Sequence, residues 1–79
     1  MTLYYDPNGG QDACNSGLYS NVYYALDDPN GGTLTHGHTY YDSYGFPYNG
    51  NNMYFSDGSN NYGTINNNGY YSSGGTCDW

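Results

Sequence analysis

The side chains with the widest chemical range in this sequence are His36 and His38, set either side of Gly37. In an extended strand, residues i and i+2 project from the same face, so the two imidazoles would grip one metal ion together. Two ligands from one chain are too few. Three chains around an axis would bring six ring nitrogens to an octahedral site suited to a first-row transition metal. In a polar, Gly-containing loop the same pair would instead be two exposed imidazoles. Cys14 and Cys77 form the second pair. As a disulfide they would close almost the whole chain into one loop, worth about 4 kcal/mol by the chain-entropy argument. As free thiols they have no basic neighbour to make either a nucleophile.

The remaining acid–base inventory is Asp6, Asp12, Asp27, Asp28, Asp42, Asp57 and Asp78. Asp27-Asp28 followed by Asn30, and Asp57 near Asn60 and Asn61, carry oxygens of the kind calcium takes, but neither stretch follows the EF-hand spacing. Asp is equally a turn-forming residue. No Ser-His-Asp spacing, P-loop, dinucleotide fingerprint or Cys-x-x-Cys occurs. Asp27 and Asp28 are sequence neighbours, so in a strand they would point to opposite faces. The chain therefore reads as non-enzymatic.

Composition narrows the partners further. The 79 residues include no Lys, Arg or Glu, and the net charge is −7. Without a cation there is nothing to neutralise phosphates, so nucleic acid is excluded as a partner, and an anionic membrane surface is disfavoured. No apolar run reaches the length of a membrane span or a signal-peptide core. A disulfide without an export signal fits a virion protein released by lysis, or the trimmed form of a secreted one. Localisation is thus expected to be extracellular or virion.

These residues need a scaffold, and the chain is long enough for one small domain over residues 1–79. The larger aliphatic side chains are few: Met1, Leu3, Leu18, Val22, Leu26, Leu34, Met53 and Ile65. Tyr must supply much of the core, since its ring buries a large area while its hydroxyl keeps a partner. A domain this size also calls for a staple, which Cys14 and Cys77 would provide.

Turn chemistry sets the element spacing. Asn-Gly recurs at 8–9, 30–31, 49–50 and 68–69, with Asp57-Gly58 adding a fifth site; such pairs accept the positive φ of tight hairpins. Between them, strands are expected at Thr2–Tyr5, Tyr19–Ala25, Thr39–Tyr41, Asn52–Ser56, Asn61–Ile65 and Gly69–Ser72. The pattern predicts an all-β fold: a small antiparallel sandwich, barrel or meander. No stretch sustains 3.6-residue periodicity, so no helix is expected. Asp-Pro-Asn-Gly-Gly occurs twice, at residues 6–10 and 28–32 within Asp27-Asp28-Pro29-Asn30-Gly31-Gly32, and reads as one turn solution used twice.

There are 13 Tyr and 13 Gly. Tyr4-Tyr5, Tyr23-Tyr24, Tyr40-Tyr41 and Tyr70-Tyr71 are doublets, so on strands one ring of each faces in and one faces out. Outward Tyr among Asn, Ser and Gly has the composition of antibody paratopes, and Tyr is enriched at subunit interfaces. Tyr23, Tyr24, Tyr40, Tyr41, Tyr54, Tyr62, Tyr70 and Tyr71 are therefore candidate interface or ligand residues.

Thr33-Leu34-Thr35-His36-Gly37-His38-Thr39-Tyr40-Tyr41-Asp42, then Tyr54-Phe55-Ser56-Asp57-Gly58-Ser59-Asn60-Asn61-Tyr62, then Asn68-Gly69-Tyr70 and Cys77, resemble short Cys-bounded β modules of phage fibre proteins and bacterial surface proteins. The resemblance covers residues 18–77. His-x-His metal sites of trimeric phage tail fibres are similar to the His36–His38 arrangement. It implies a structural subunit of a fibre, filament or virion surface, held by Tyr-rich interfaces and strand-edge pairing. The alternative is an adhesion module that binds a glycan or cell-surface receptor through Tyr, Asn and Asp. Self-association is the expected partnership, with no resident cofactor beyond the His36/His38 metal of an oligomer.

Overall fold

A computed structural model describes residues 1–28 and 34–78. Among these residues there are five strands, β1 (Thr2–Asp6), β2 (Tyr19–Asn21), β3 (Met53–Ser56), β4 (Asn61–Ile65) and β5 (Tyr71–Thr76), with one short helix, α1 (Gly10–Cys14). They form a single antiparallel sheet in the order β2-β1-β3-β4-β5. The all-β expectation holds. Of the three forms left open, the meander is nearest: β3, β4 and β5 are consecutive neighbours, while the sheet neither closes into a barrel nor stacks on a second sheet.

The element bounds follow local chemistry. β4 lies where it is expected, and β1 and β3 differ from expectation by one residue each. The expected strand Tyr19–Ala25 stops at Asn21, beyond which Tyr23 pairs with Tyr41 rather than within the sheet. Thr39–Tyr41 makes isolated bridges to Tyr70, Tyr23 and Pro47 instead of a strand. β5 begins at Tyr71, because Gly69 has φ +79 and belongs to the turn before it. The Asn30-Gly31 turn and most of the second Asp-Pro-Asn-Gly-Gly copy lie outside the described residues. At Asn49-Gly50 the turn itself falls two residues later. Asn51 and Asn52 take φ of 54 and 57, and Met53 N closes the turn on Gly50 O at 3.0 Å; Asn tolerates this left-handed region.

The absence of a helix was the wrong expectation. Five residues carry no periodicity to read, and an isolated helix of that length does not form in water. Tertiary contacts hold α1 in place: Ala13 is buried, Cys14 is bonded to Cys77, and Gln11 clasps the far end of the chain. Gln11 Nε2 donates to Thr76 O at 2.9 Å and its Oε1 accepts from Asp78 N at 2.8 Å, so one side-chain amide imitates a neighbouring strand.

The register sorts the side chains onto two faces. Leu3, Phe55, Ile65 and Tyr71 share one face with Tyr5 and Met53. The long connection from β2 to β3 covers it, adding Val22, Leu34 and Tyr40 to the core with Tyr24 and Tyr48 packed against it. The opposite face carries the cross-strand row Tyr19, Tyr4, Ser56, Tyr62 and Gly75. There α1 lies over the sheet, and the buried Ser56 Oγ sits 3.7 Å from Cys77 Sγ.

Glycine is what lets the rings approach the backbone. A Cβ at Gly10 would fall 1.9 Å from Cε1 of Tyr62, whose ring is also lined by Gly74 and Gly75. A Cβ at Gly63 would meet Ser72 O at 2.3 Å and the Tyr71 ring at 2.5 Å. Gly63→Ala is therefore expected to lower stability by about 1–3 kcal/mol through overpacking. Gly17→Ala, where a Cβ meets nothing within 4 Å, should stay within about 0.5 kcal/mol. Urea unfolding of the two variants checks the contrast.

Candidate functional site

The Thr35–His38 segment is a turn, closed by His38 N donating to Thr35 O at 3.1 Å with Gly37 at φ +85. The shared strand face that would aim both imidazoles at one ion is therefore absent. His36 Nδ1 accepts from Ser73 N at 3.0 Å, and its ring meets the Tyr70 ring edge-on at 6.4 Å. His38 stacks on Tyr24 at 3.9 Å with the planes 7° apart, and meets Tyr40 edge-on at 4.8 Å. Its Nε2 is 3.2 Å from Tyr24 O, a carbonyl that only accepts, so Nε2 carries the proton. Among the described residues no group of three or more His, Cys, Asp or Glu converges.

Cys14 and Cys77 are joined, with Sγ atoms 1.97 Å apart and Cα atoms 5.8 Å apart. A structural disulfide is compatible with an oxidising environment. No described helix is long and apolar enough to cross a membrane.

The candidate tyrosines divide by depth. Tyr40 and Tyr71 are core residues, with no ring face left for a partner. Tyr40 Oη accepts from Thr35 N at 2.8 Å, whereas the buried Tyr71 Oη has no hydrogen-bond partner among the described residues. Tyr23, Tyr24, Tyr41, Tyr54 and Tyr62 are half-buried: Tyr24 against His38, Tyr62 in its glycine slot, Tyr23 and Tyr41 joined by backbone bonds of 2.9 Å. Of the eight, Tyr70 alone is exposed, at 40%.

The largest exposed rings are ones the sequence reading passed over. Tyr44 is 82% exposed, Phe46 68% and Tyr19 63%, with Leu26 at 56% and Leu18 at 55%. Tyr44 and Phe46 sit on a loop braced by Asp42. Asp42 Oδ1 accepts from Tyr44 N at 2.9 Å and Phe46 N at 3.0 Å, Gly45 N closes on Asp42 O at 3.1 Å, and Asp42 N donates to Phe46 O at 2.8 Å. Asn66 repeats all four bonds with Asn68, Gly69 and Tyr70 at 2.8, 3.2 and 3.1 Å. In both loops the Gly has positive φ, +87 at Gly45 and +79 at Gly69. The signal was present as Asp42-Ser43-Tyr44-Gly45-Phe46 beside Asn66-Asn67-Asn68-Gly69-Tyr70, an Asx-x-x-Gly-aromatic pattern whose aromatics ride on a self-bonded loop. Leu26 packs toward Gly45, so Leu26, Tyr44 and Phe46 form one apolar tip.

The acidic residues serve these loops. Asp6 and Asp42 accept backbone N–H groups within their own turns. Asp57 accepts from Ser59 N at 2.9 Å and from Leu34 N at 3.2 Å, pinning the long connection to the β3–β4 turn. No pocket is found among the described residues.

Burial, reinforced by the Asp57 charge and by Tyr40, pushes the Tyr71 phenol up to about 12. Burial also raises Tyr40, against the opposing bonds from Thr35. In the unfolded chain a phenol titrates near 10. The stability that these protonated phenols contribute is complete below pH ~10 and is lost as pH rises toward ~12. Absorbance titration should show Tyr71 ionising late, together with unfolding, and Tyr71→Phe should shift that transition to higher pH. Reduction of the disulfide, which joins residues 63 apart, is expected to cost about 4 kcal/mol, read as a lower urea midpoint. No family model, curated protein or solved structure matches the chain, so the likeness to fibre and surface modules rests on the quoted motifs alone.

Proposed function

We propose that the chain is a non-enzymatic structural subunit of an extracellular or virion assembly, a building block of a fibre, filament or particle surface. The observation that carries this reading is the outward placement of Leu18, Tyr19, Leu26, Tyr44 and Phe46, each more than half exposed, on a domain with few aliphatic side chains. A second chain covering these groups would remove apolar area from water at little polar cost. The rest of the composition suits a durable exposed material: a disulfide closes the domain, and without Lys or Arg there is no trypsin-type cleavage site and no reactive lysine amine. If a transition metal joins several copies, the ring nitrogens left for it are Nε2 of His36 and Nδ1 of His38.

A second reading, adhesion to a glycan or cell-surface receptor, is favoured by the Asp42 loop, which holds two aromatic rings rigidly in solvent. Rigid aromatics with adaptable polar neighbours are the means by which paratopes bind.

The solution mass of the purified chain, across concentration and with or without reductant and chelator, separates these readings. The structural role predicts a concentration-dependent assembly, and a chelator-sensitive one where metal is the clamp. A monomer at every concentration overturns it. Retention on a glycan array that is lost in the Tyr44→Ser/Phe46→Ser double variant would establish the adhesive role instead.

A further inference from the structure

The two edges of the sheet are finished differently. On β5 the outward backbone is occupied: Gly37 N donates to Tyr71 O at 2.9 Å, Tyr71 N to His38 O at 3.0 Å, and Ser73 N to His36 Nδ1 at 3.0 Å. Loop backbone and an imidazole thus close this edge as far as Ser73, one of the ways in which proteins protect a strand edge.

On β2 the opposite holds. Val22 N donates to Met1 O at 2.9 Å and Tyr5 N to Leu18 O at 3.1 Å. Residues of an antiparallel pair alternate between facing their partner and facing away. Leu18, Ser20 and Val22 therefore turn their backbone groups toward β1, and Tyr19, Asn21 and Tyr23 turn theirs outward. Tyr23 exchanges both bonds with Tyr41. The N–H and C=O of Tyr19 and of Asn21 meet no partner among the described residues. Apart from its shortness and the Tyr23–Tyr41 pair at its end, this edge has neither charge nor proline to protect it: residues 13–26 contain no charged side chain and no Pro, and Leu18, Tyr19 and Asn21 are exposed.

We propose that β2 is a homotypic docking edge, on which two copies of this chain pair antiparallel through Tyr19–Asn21 about a two-fold axis at Ser20. The inference rests on the assembly reading above and names its contact. The register is self-complementary. With Ser20 on the axis, Tyr19 of one copy faces Asn21 of the other, and both are outward positions, so each pair exchanges two backbone bonds. The contact is isologous, as closed two-fold contacts must be, and it joins two five-stranded sheets into one. The Tyr19 ring of each copy comes to lie beside Asn21 of the other on the face that carries α1. A copy is the occupant rather than a basic partner, because the register is self-complementary about Ser20 and residues 13–26 offer no carboxylate to attract a cation. The net charge of −7 on each copy opposes association at long range, so salt strengthens this dimer.

The test uses the intact, oxidised 79-residue chain in sedimentation velocity across concentration at low and high salt, with amide exchange at Tyr19 and Asn21 followed by NMR. The wild type should dimerise more at high salt, with both amides becoming protected as it does. Asn21→Pro removes an outward N–H and no β1–β2 backbone bond, at a position where an edge strand accepts Pro, and it also deletes the exposed Thr2 Oγ1–Asn21 Oδ1 bond. It should weaken association at least about tenfold, since each dimer loses two bonds. Tyr19→Asp, which keeps the backbone and places a carboxylate beside the axis, should do the same and decides the matter if the proline variant does not fold. Assembly that persists in both variants overturns the edge and leaves the assembly reading standing. A wild type that stays monomeric, with both amides exchanging freely, overturns both.

Discussion

The structure depends on the fit between tyrosine rings and bare backbone. With so few aliphatic side chains, the core has to be filled by rings, and a ring fills space well only if it can lie close to a neighbouring chain. Glycine permits that approach. Tyr62 occupies a slot made by Gly10, Gly74 and Gly75, and Tyr71 lies over Gly63. Each of these four glycines gives up its own side chain to make room for a neighbour's ring. The same relation explains the bulge between β4 and β5 at Tyr62/Gly63, since the strand must give way where the ring passes over it.

The second constraint is electrostatic. With no Lys or Arg to pair with its carboxylates, the chain turns several of them on its own backbone. Asp6, Asp42 and Asp57 all accept N–H groups in turns, and Asn49 and Asn66 do the same without charge. Asp57 also reaches across to Leu34 N, which couples the β3–β4 turn to the segment that roofs the core. Charge here is local architecture more than a means of recognition.

Much of this was legible in the sequence, and the losses have physical causes. Asn61–Ile65 is placed correctly by its β-prone residues between turn signals. Two of the four tyrosine doublets split by depth: Tyr71 is buried beside exposed Tyr70, and Tyr40 beside half-buried Tyr41, whereas Tyr4-Tyr5 and Tyr23-Tyr24 are half-buried throughout. Which member points inward depends on register, and register is set by pairing that sequence spacing does not specify. Hence the interface or ligand candidates include Tyr40 and Tyr71, which lie in the core. The helix at Gly10–Cys14 left no trace because tertiary contacts, not propensity, make it. For His36–His38 the sequence allows a strand or a Gly-containing loop, and Gly37 at φ +85 makes it a turn. The tip bearing Tyr44 and Phe46 is not legible from Asp42 taken as one of seven turn-forming carboxylates; it shows only when the Asp42 and Asn66 loops are set side by side.

The disulfide has a mechanical consequence. Tension entering the chain ahead of Cys14 and leaving beyond Cys77 passes through the covalent bond between them, so the 62 residues enclosed by it carry no load. β2, β3, β4 and β5 all lie inside that shielded loop, and β1 is the one strand on the load path. β1 is also an interior strand, flanked by β2 and β3. A pull therefore shears one strand against two neighbours instead of unzipping the sheet from an edge, and the extension available before the covalent link takes the force is limited to the short stretch outside it.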